Sequence, residues 1–316
     1  MNILITELMW EKGIKNLTDA NFNVNYMKSL SEERNNLLSI IHEYDALIVR
    51  NKTIVDKELL DKGKKLKVIG RLGVGMDNID VNFMHKKDVK LVIAKNANST
   101  SVAEYVIATL LEASRMVFQA NLSVREGNWL RKEYTGSELD KKTIGLIGLG
   151  DIAHRVAKRA KAFGMKVIGY DPFIAPYENI FSETKVEKME ELKELLASSD
   201  FVSLHLPLTT QTRNIINKET LKYMKSNSYL INTSRGELVN EKDLYYSLES
   251  NKLSGAYLDV FSSEPIQQSS ILLLSNKIKF TPHIAGLTDE SQNRVSKIIS
   301  EEVIKVLHGK ESQCTV

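Results

Sequence analysis

The chain has 316 residues with 43 Lys and Arg against 40 Asp and Glu, a formal charge of +3, and the two signs are interspersed rather than blocked. Such a surface argues against nucleic-acid or membrane partners and leaves small anionic ligands to local arginines. One cysteine, Cys314 near the end, excludes an internal disulfide or a cysteine metal cluster, and no metal site is expected. Its ordinary reading is a thiol in a frayed tail. The N-terminal Met1-Asn2-Ile3-Leu4-Ile5-Thr6-Glu7 meets an acid before any signal-like apolar stretch develops, so the cytoplasm is the expected compartment.

Short apolar runs alternate with amphipathic stretches in two series, the pattern of parallel sheets with crossover helices. In the first series Ile3-Leu4-Ile5, Ala46-Leu47-Ile48-Val49, Lys67-Val68-Ile69-Gly70 and Lys90-Leu91-Val92-Ile93 are predicted strands, with a helix over 31–43 among their connections. Ser99-Thr100-Ser101 is predicted to cap a long helix that opens at Val102 and links the two series. The second series has predicted strands over 143–148, 166–170, Phe201-Val202-Ser203-Leu204, Tyr229-Leu230-Ile231-Asn232, Gly255-Ala256-Tyr257-Leu258 and Ile278-Lys279-Phe280. After Pro282, Val295, Ile298, Ile299, Val303, Ile304 and Leu307 recur at helical spacing, and that helix is expected to return to the first domain. The fold class is therefore α/β, with two parallel-sheet domains separated by a cleft. The expected division is 1–98, 99–286 and 287–316, the last belonging with the first.

Between the predicted strand 143–148 and a helix through Val156-Ala157-Lys158-Arg159-Ala160 stands Gly148-Leu149-Gly150-Asp151-Ile152-Ala153. A glycine at 148 permits a tight turn, one at 150 lets a pyrophosphate approach the backbone at a helix N-terminus, and Ala153 lets helix and strand pack closely. The next strand ends in Asp171, where a carboxylate accepts hydrogen bonds from ribose hydroxyls and repels a 2′-phosphate. Pro172 and Phe173 bring no cation to offset that repulsion, so NAD rather than NADP is the expected cofactor.

Further motifs follow in order: Arg71-Leu72-Gly73-Val74-Gly75-Met76-Asp77-Asn78-Ile79-Asp80, His205-Leu206-Pro207-Leu208-Thr209, Asn232-Thr233-Ser234-Arg235-Gly236, Asp259-Val260-Phe261 through Glu264-Pro265, and Pro282-His283-Ile284-Ala285-Gly286. Almost end to end, the chain resembles the D-isomer-specific 2-hydroxyacid dehydrogenases. The resemblance implies two doubly wound domains: a substrate domain over 1–98 completed by 287–316, and an NAD-binding Rossmann domain with a dimer arm over 99–286. It implies Arg235, Glu264 and His283 as catalytic residues. It also implies cofactor contacts from Gly148, Gly150, Asp151, Ile152, Asp171, His205, Pro207, Thr233, Asp259 and His283, with Asp259 on the nicotinamide carboxamide. Substrate contacts fall to Arg50, Arg71, Val74, Gly75, Asn98 and Arg235, with the amides of the 72–75 loop turned to the substrate carboxylate and Ser99 beside Asn98 at the hinge.

Residue chemistry agrees with those roles. Hydride transfer to a substrate C2 needs a proton donor for the C2 oxygen, and histidine titrates near neutral pH. Glu264 is expected to bond the other ring nitrogen of His283 and favour the protonated ring. Arg235 offers a planar fork to the C1 carboxylate, a role lysine fills poorly.

Two departures from the family pattern stand out. Asp151 replaces a frequent arginine and Ala153 a glycine; Asp151 is expected to cap its own helix, with His154 or Arg155 as the replacement cation. For the substrate, Gly127-Asn128-Trp129-Leu130-Arg131-Lys132 before Gly136-Ser137-Glu138-Leu139 is similar to 3-phosphoglycerate dehydrogenases. Val49-Arg50-Asn51-Lys52-Thr53 and the stretch from His283 to Ser291 resemble sulfolactate dehydrogenases. Both substrates carry a second anion suited to Arg50 and Arg71, with Arg131 and Lys132 from a neighbouring subunit; glyoxylate, hydroxypyruvate and D-lactate stay open. A homodimer is expected, its arm formed by the helix from Val102 and the Trp129 segment. NAD-sensing corepressors share the fold, and formate dehydrogenase is disfavoured because it pairs its histidine with glutamine.

Overall fold

The computed structural model describes residues 1–175 and 178–316. The chain divides into two compact units, Met1–Asn98 with Leu287–Val316, and Ser99–Gly286. In the first, β1 (Asn2–Ile5), α1 (Glu11–Asp19), β2 (Asn23–Tyr26), α2 (Arg34–Ile40), β3 (Ala46–Val49), α3 (Lys57–Lys62), β4 (Val68–Arg71), α4 (Val81–Lys86) and β5 (Lys90–Ile93) succeed one another. The strands pair in parallel in the order β2-β1-β3-β4-β5. β3 is apolar throughout and wholly buried, as a strand covered on both faces must be. Asp56 and Asp80 fix the starts of α3 and α4 by accepting from the Leu59 and Phe83 amides.

The second unit runs through α5 (Ser99–Arg115), α6 (Val117–Arg125), β6 (Thr143–Ile147), α7 (Asp151–Ala162), β7 (Lys166–Tyr170), α8 (Asn179–Thr184), β8 (Glu187–Lys188), α9 (Leu192–Ser198), β9 (Phe201–Leu204), α10 (Lys218–Leu221), β10 (Tyr229–Asn232), α11 (Glu241–Glu249), β11 (Gly255–Leu258) and β12 (Ile278–Phe280). Its strands are parallel in the order β12-β11-β10-β9-β6-β7-β8. The chain then re-enters the first unit as α12 (Asp289–Leu307), opened by a Thr288/Ser291 capping box. Ile299 and Val303 of α12 lie over Gly70 of β4. Gly13 lets α1 approach so closely that an added Cβ would stand 2.6 Å from the Ser296 carbonyl oxygen.

Strand order reverses between β1 and β3 in one sheet and between β6 and β9 in the other. In open α/β sheets the crevice at such a reversal, beyond the carboxyl ends of the strands, is where ligands bind.

Several expectations are corrected by this fold. Ser99, Thr100 and Ser101 are not a cap outside the helix but its first residues, with Ser99 and Ser101 buried. Much of the apolar face of α5 packs within its own unit, where Ala103, Val106, Ile107, Leu110 and Ala113 join the core. Of α5's large apolar side chains Leu111 is exposed, and the more exposed ones follow on α6 and just beyond it: Val117, Phe118, Leu122, Val124 and Trp129. The helix over 31–43 breaks into 3₁₀ turns at Lys28–Ser31 and Ile41–Glu43 around α2. Cys314 is not in a frayed tail, because its carbonyl accepts from Ile93, and Val316 donates to Leu91 along the β5 edge.

Candidate active site

At the β6/β9 reversal the chain turns from β6 into α7 through Gly148, whose φ of +89° suits glycine. A Cβ there would stand 2.5 Å from the His205 carbonyl oxygen, so the turn also packs directly on the end of β9. Gly150, the N-cap of α7, has nothing within 4 Å of an added Cβ, so the ground before the helix N-terminus is open. Asp171 follows β7 and accepts from the Leu149 amide at 2.9 Å and the Phe173 amide at 2.9 Å, which holds the turn while each oxygen keeps a lone pair. Ser203 meets His205 Nε2 at 3.0 Å, and burial brings the His205 ring down to about 4, so it is neutral at physiological pH. His205 Nδ1 and Thr233 Oγ1 are buried polar atoms with no hydrogen-bond partner among the described residues. Open backbone at a helix N-terminus, a ribose-height carboxylate and two unsatisfied polar atoms fit a dinucleotide. Pro207, exposed, and Ile152, half-buried in the first turn of α7, flank this ground.

Asp151 departs from its expected place. The N-cap is Gly150, so Asp151 is the first helical residue; instead of capping, its carboxylate pairs with Arg155 one turn on. Arg155 also bonds Thr100 Oγ1 at 3.2 Å, so its charge is spent locally. His154 lies 3.2 Å from Glu183 rather than standing in as an anion-binding cation.

A second group of residues gathers beyond β10, β11 and β12, which are neighbours in the sheet. After β10, Asn232 accepts from the Ser234 amide at 3.0 Å and donates to the Arg235 carbonyl at 2.8 Å, fixing the turn that presents Arg235. A Cβ on Gly236 would stand 1.9 Å from the Phe261 carbonyl carbon, so the Arg235 turn sits directly on the loop that carries Glu264. After β12, His283 has a φ of +55° and its Nδ1 is 2.7 Å from Glu264 Oε2. Burial alone raises the Glu264 carboxyl, but the His283 hydrogen bond and charge, the Phe261 amide and the Arg235 charge hold it below the ordinary carboxylate range. Nδ1 being engaged, His283 has Nε2 for a substrate.

Asp259, assigned by resemblance to the nicotinamide carboxamide, also has structural partners. Its carboxylate is buried and accepts from the amides of Ile284 and Ala285, both at 2.8 Å, and from the Thr281 hydroxyl at 2.6 Å. Its carbonyl accepts from the His283 amide at 2.9 Å. Asp259 thus anchors the left-handed turn at His283, a conformation costly for a residue other than glycine unless its surroundings hold it. The Tyr105 hydroxyl extends the anchor, 2.5 Å from Thr281 Oγ1. Sequence reading missed Thr281, Tyr105 and the Asn232 clamp, because each acts through partners remote in the chain.

The remaining candidates belong to the smaller unit. Arg50 follows β3 and donates from Nη1 to Gln292 at 2.9 Å, so it is a half-buried, hydrogen-bonded side chain rather than a solvated charge. Arg71 ends β4 and folds back on its own loop: Nη1 bonds the Leu72 carbonyl at 3.1 Å and lies where a Gly73 side chain would be. The Leu72 and Gly73 amides donate to Val49 and Arg71 carbonyls, which narrows the loop's candidate donors to Val74 and Gly75. Val74 is exposed; Asn98, half-buried, is the last residue of the 1–98 segment.

Residues 107–285 match the family model of the D-isomer specific 2-hydroxyacid dehydrogenase, NAD binding domain. The chain belongs to that family. It is 42% identical over 316 residues to a D-3-phosphoglycerate dehydrogenase of Methanocaldococcus jannaschii, covering 100% of this chain and 59% of that protein. It is 42% identical over 306 residues to an (S)-sulfolactate dehydrogenase of Chromohalobacter salexigens, covering 97% of this chain and 98% of that one. A solved structure of a Thermus thermophilus protein superposes with a TM-score of 0.92 at 31% identity, covering 100% of both chains. The chain spans less than two thirds of the length of the phosphoglycerate dehydrogenase it matches.

Proposed function

We propose that this family member interconverts a D-2-hydroxy acid and its 2-keto acid, with NAD as hydride carrier, on a substrate that bears a second anion. The 3-phosphoglycerate pair is the leading candidate. One observation carries the reading: Glu264 holds His283 Nδ1 at 2.7 Å, beside the Arg235 turn at the ends of adjacent strands. NAD bound on the Gly148–Asp171 cradle supplies or takes the hydride at its nicotinamide. In keto-acid reduction His283 Nε2 gives its proton to the C2 oxygen as the hydride reaches C2; the neutral ring then regains a proton from solvent, to which its side chain is 44% exposed. Glu264 keeps the ring oriented and stabilises its charged form. Arg235 binds the C1 carboxylate and draws negative charge from the C2 oxygen.

The second anion falls to Arg50 and Arg71; the Val74 and Gly75 amides are assigned to the substrate carboxylate, and Asn98 is a further substrate contact. Identity to a sulfolactate dehydrogenase over nearly its whole length favours a sulfonate as the second choice. Arg115, Arg131 and Lys132 line an open surface pocket of about 830 Å³ close in sequence to exposed Trp129, and we assign this region and α6 to a homodimer contact. No helix among the described residues is long and apolar enough to cross a membrane, and we place the enzyme in the cytoplasm. The test is NADH oxidation across 2-keto acids with and without a 3-phosphate or 3-sulfonate. A dianionic substrate is expected to give the highest kcat/KM, and Arg50→Ala to raise its KM about tenfold or more by removing one charge-assisted contact. Better use of pyruvate or glyoxylate than of every dianionic acid contradicts the second-anion reading.

A further inference from the structure

Glu7 is buried at 5% exposure where β1 ends, beside the end of β3 at the strand-order reversal of the smaller sheet. Its Oε1 accepts from the amides of Arg50 at 2.8 Å and Thr53 at 2.9 Å, and its Oε2 from those of Lys52 at 3.0 Å and Asn51 at 3.1 Å. Four consecutive amides therefore converge on one carboxylate. The carbonyl side of the same loop is held by Asn78 Nδ2, which donates to Thr53 at 2.7 Å and to Arg50 at 3.2 Å. Burial alone raises the Glu7 carboxyl, but the amides of Thr53, Arg50 and Lys52 bring it below its ordinary value, so it is an anion at neutral pH.

A concave row of amides at such a crevice ordinarily receives a ligand anion. Here the chain's own carboxylate fills it, so recognition of a substrate anion passes to the guanidinium that the loop carries, that of Arg50. The backbone of Arg50 is fixed by Glu7, and its guanidinium by Gln292 in the first turn of α12, itself held by the Thr288 carbonyl through its amide. We propose that Glu7 is a positioning residue for specificity: together with Gln292 it holds Arg50 in place for the substrate's second anion. The inference rests on the Arg50 assignment under Proposed function and names what holds that residue there.

The test sets 3-phosphohydroxypyruvate against glyoxylate, by steady-state KM and kcat, in Glu7→Gln, Glu7→Asp, Arg50→Ala and the double variant Glu7→Gln/Arg50→Ala. A Gln side chain turns two of the four acceptor positions into a clashing donor, so Glu7→Gln is expected to raise KM for the phosphorylated acid roughly tenfold. For glyoxylate KM, and for both acids kcat, should stay within about twofold, and Glu7→Asp, which keeps the charge, should fall between Gln and wild type. On the Arg50→Ala background, Glu7→Gln is expected to add less than about twofold, because the two changes remove one contact. Equal KM changes for both substrates, an unchanged KM in a folded Glu7→Gln protein, or full additivity with Arg50→Ala overturns the clamp. If Glu7→Gln does not fold, Gln292→Ala replaces it: a KM rise confined to the phosphorylated acid supports the clamp and an unchanged KM overturns it. Arg50→Ala without substrate selectivity overturns the second-anion assignment and this inference with it. A selective Arg50→Ala beside a silent Glu7→Gln overturns this inference alone.

Discussion

His283 and Glu264 show how much of a site residue types carry. A histidine and a carboxylate 19 positions apart are uninformative singly, yet they meet at 2.7 Å because β11 and β12 are neighbours in a parallel sheet. Glu264, held below its ordinary value, is ionised at neutral pH, and its negative charge beside the His283 ring favours the protonated form of that ring. Glu264→Gln removes that charge but keeps a hydrogen-bond acceptor. The alkaline limb of keto-acid reduction should then move down by about one pH unit, read from kcat/KM against pH. An unmoved limb would leave Glu264 as a steric support only. The same residue-scale reading explains Asp151, whose pairing with Arg155 four residues on was open to inspection in the sequence.

At the scale of elements, the strand-to-helix turn at Gly148 and the ends of β10, β11 and β12 were legible because apolar runs bounded by glycine, proline and polar residues mark buried parallel strands. Strand β2 was not, since Asn23-Val24-Asn25-Tyr26 is polar and only its position at the sheet edge makes it a strand. Nor was β8, two residues long. The amide cradle of Glu7 and the anchoring role of Asp259 were hidden for another reason. A carboxylate's partners are set by which strand ends lie together, and the sequence places those ends 43 residues apart for Glu7 and Arg50. The end of β9 offers a pH test. The folded His205 ring titrates at about 4 and an unfolded one near 6.5, so between these values the unfolded chain binds a proton that the folded chain refuses. Stability should fall as pH drops through that window, by at most about 3 kcal/mol, and be unaffected by this group above it. In His205→Asn the urea midpoint should lose less between pH 7 and pH 4.5 than in wild type; an identical loss would show that His205 is not the group responsible.

For the whole molecule, two units with different contents emerge: one carries the dinucleotide cradle and the residues assigned to proton transfer, the other the cations assigned to the substrate's second anion. Val117 at 64%, Phe118 at 63% and Trp129 at 76% exposure leave an apolar surface of a kind that soluble chains cover by association. Sedimentation equilibrium at micromolar concentration should give a dimer, and Phe118→Asp should shift it to monomer; a wild-type monomer would refute the assignment. In the proposed function His283 is the proton donor for reduction of a 2-keto acid. That role is tested most directly by following NADH oxidation with 3-phosphohydroxypyruvate in wild type and His283→Ala while titrating NADH binding by fluorescence. A proton donor at this position predicts a rate loss of roughly 10² to 10⁴ with NADH affinity nearly unchanged. Wild-type turnover in His283→Ala would contradict it.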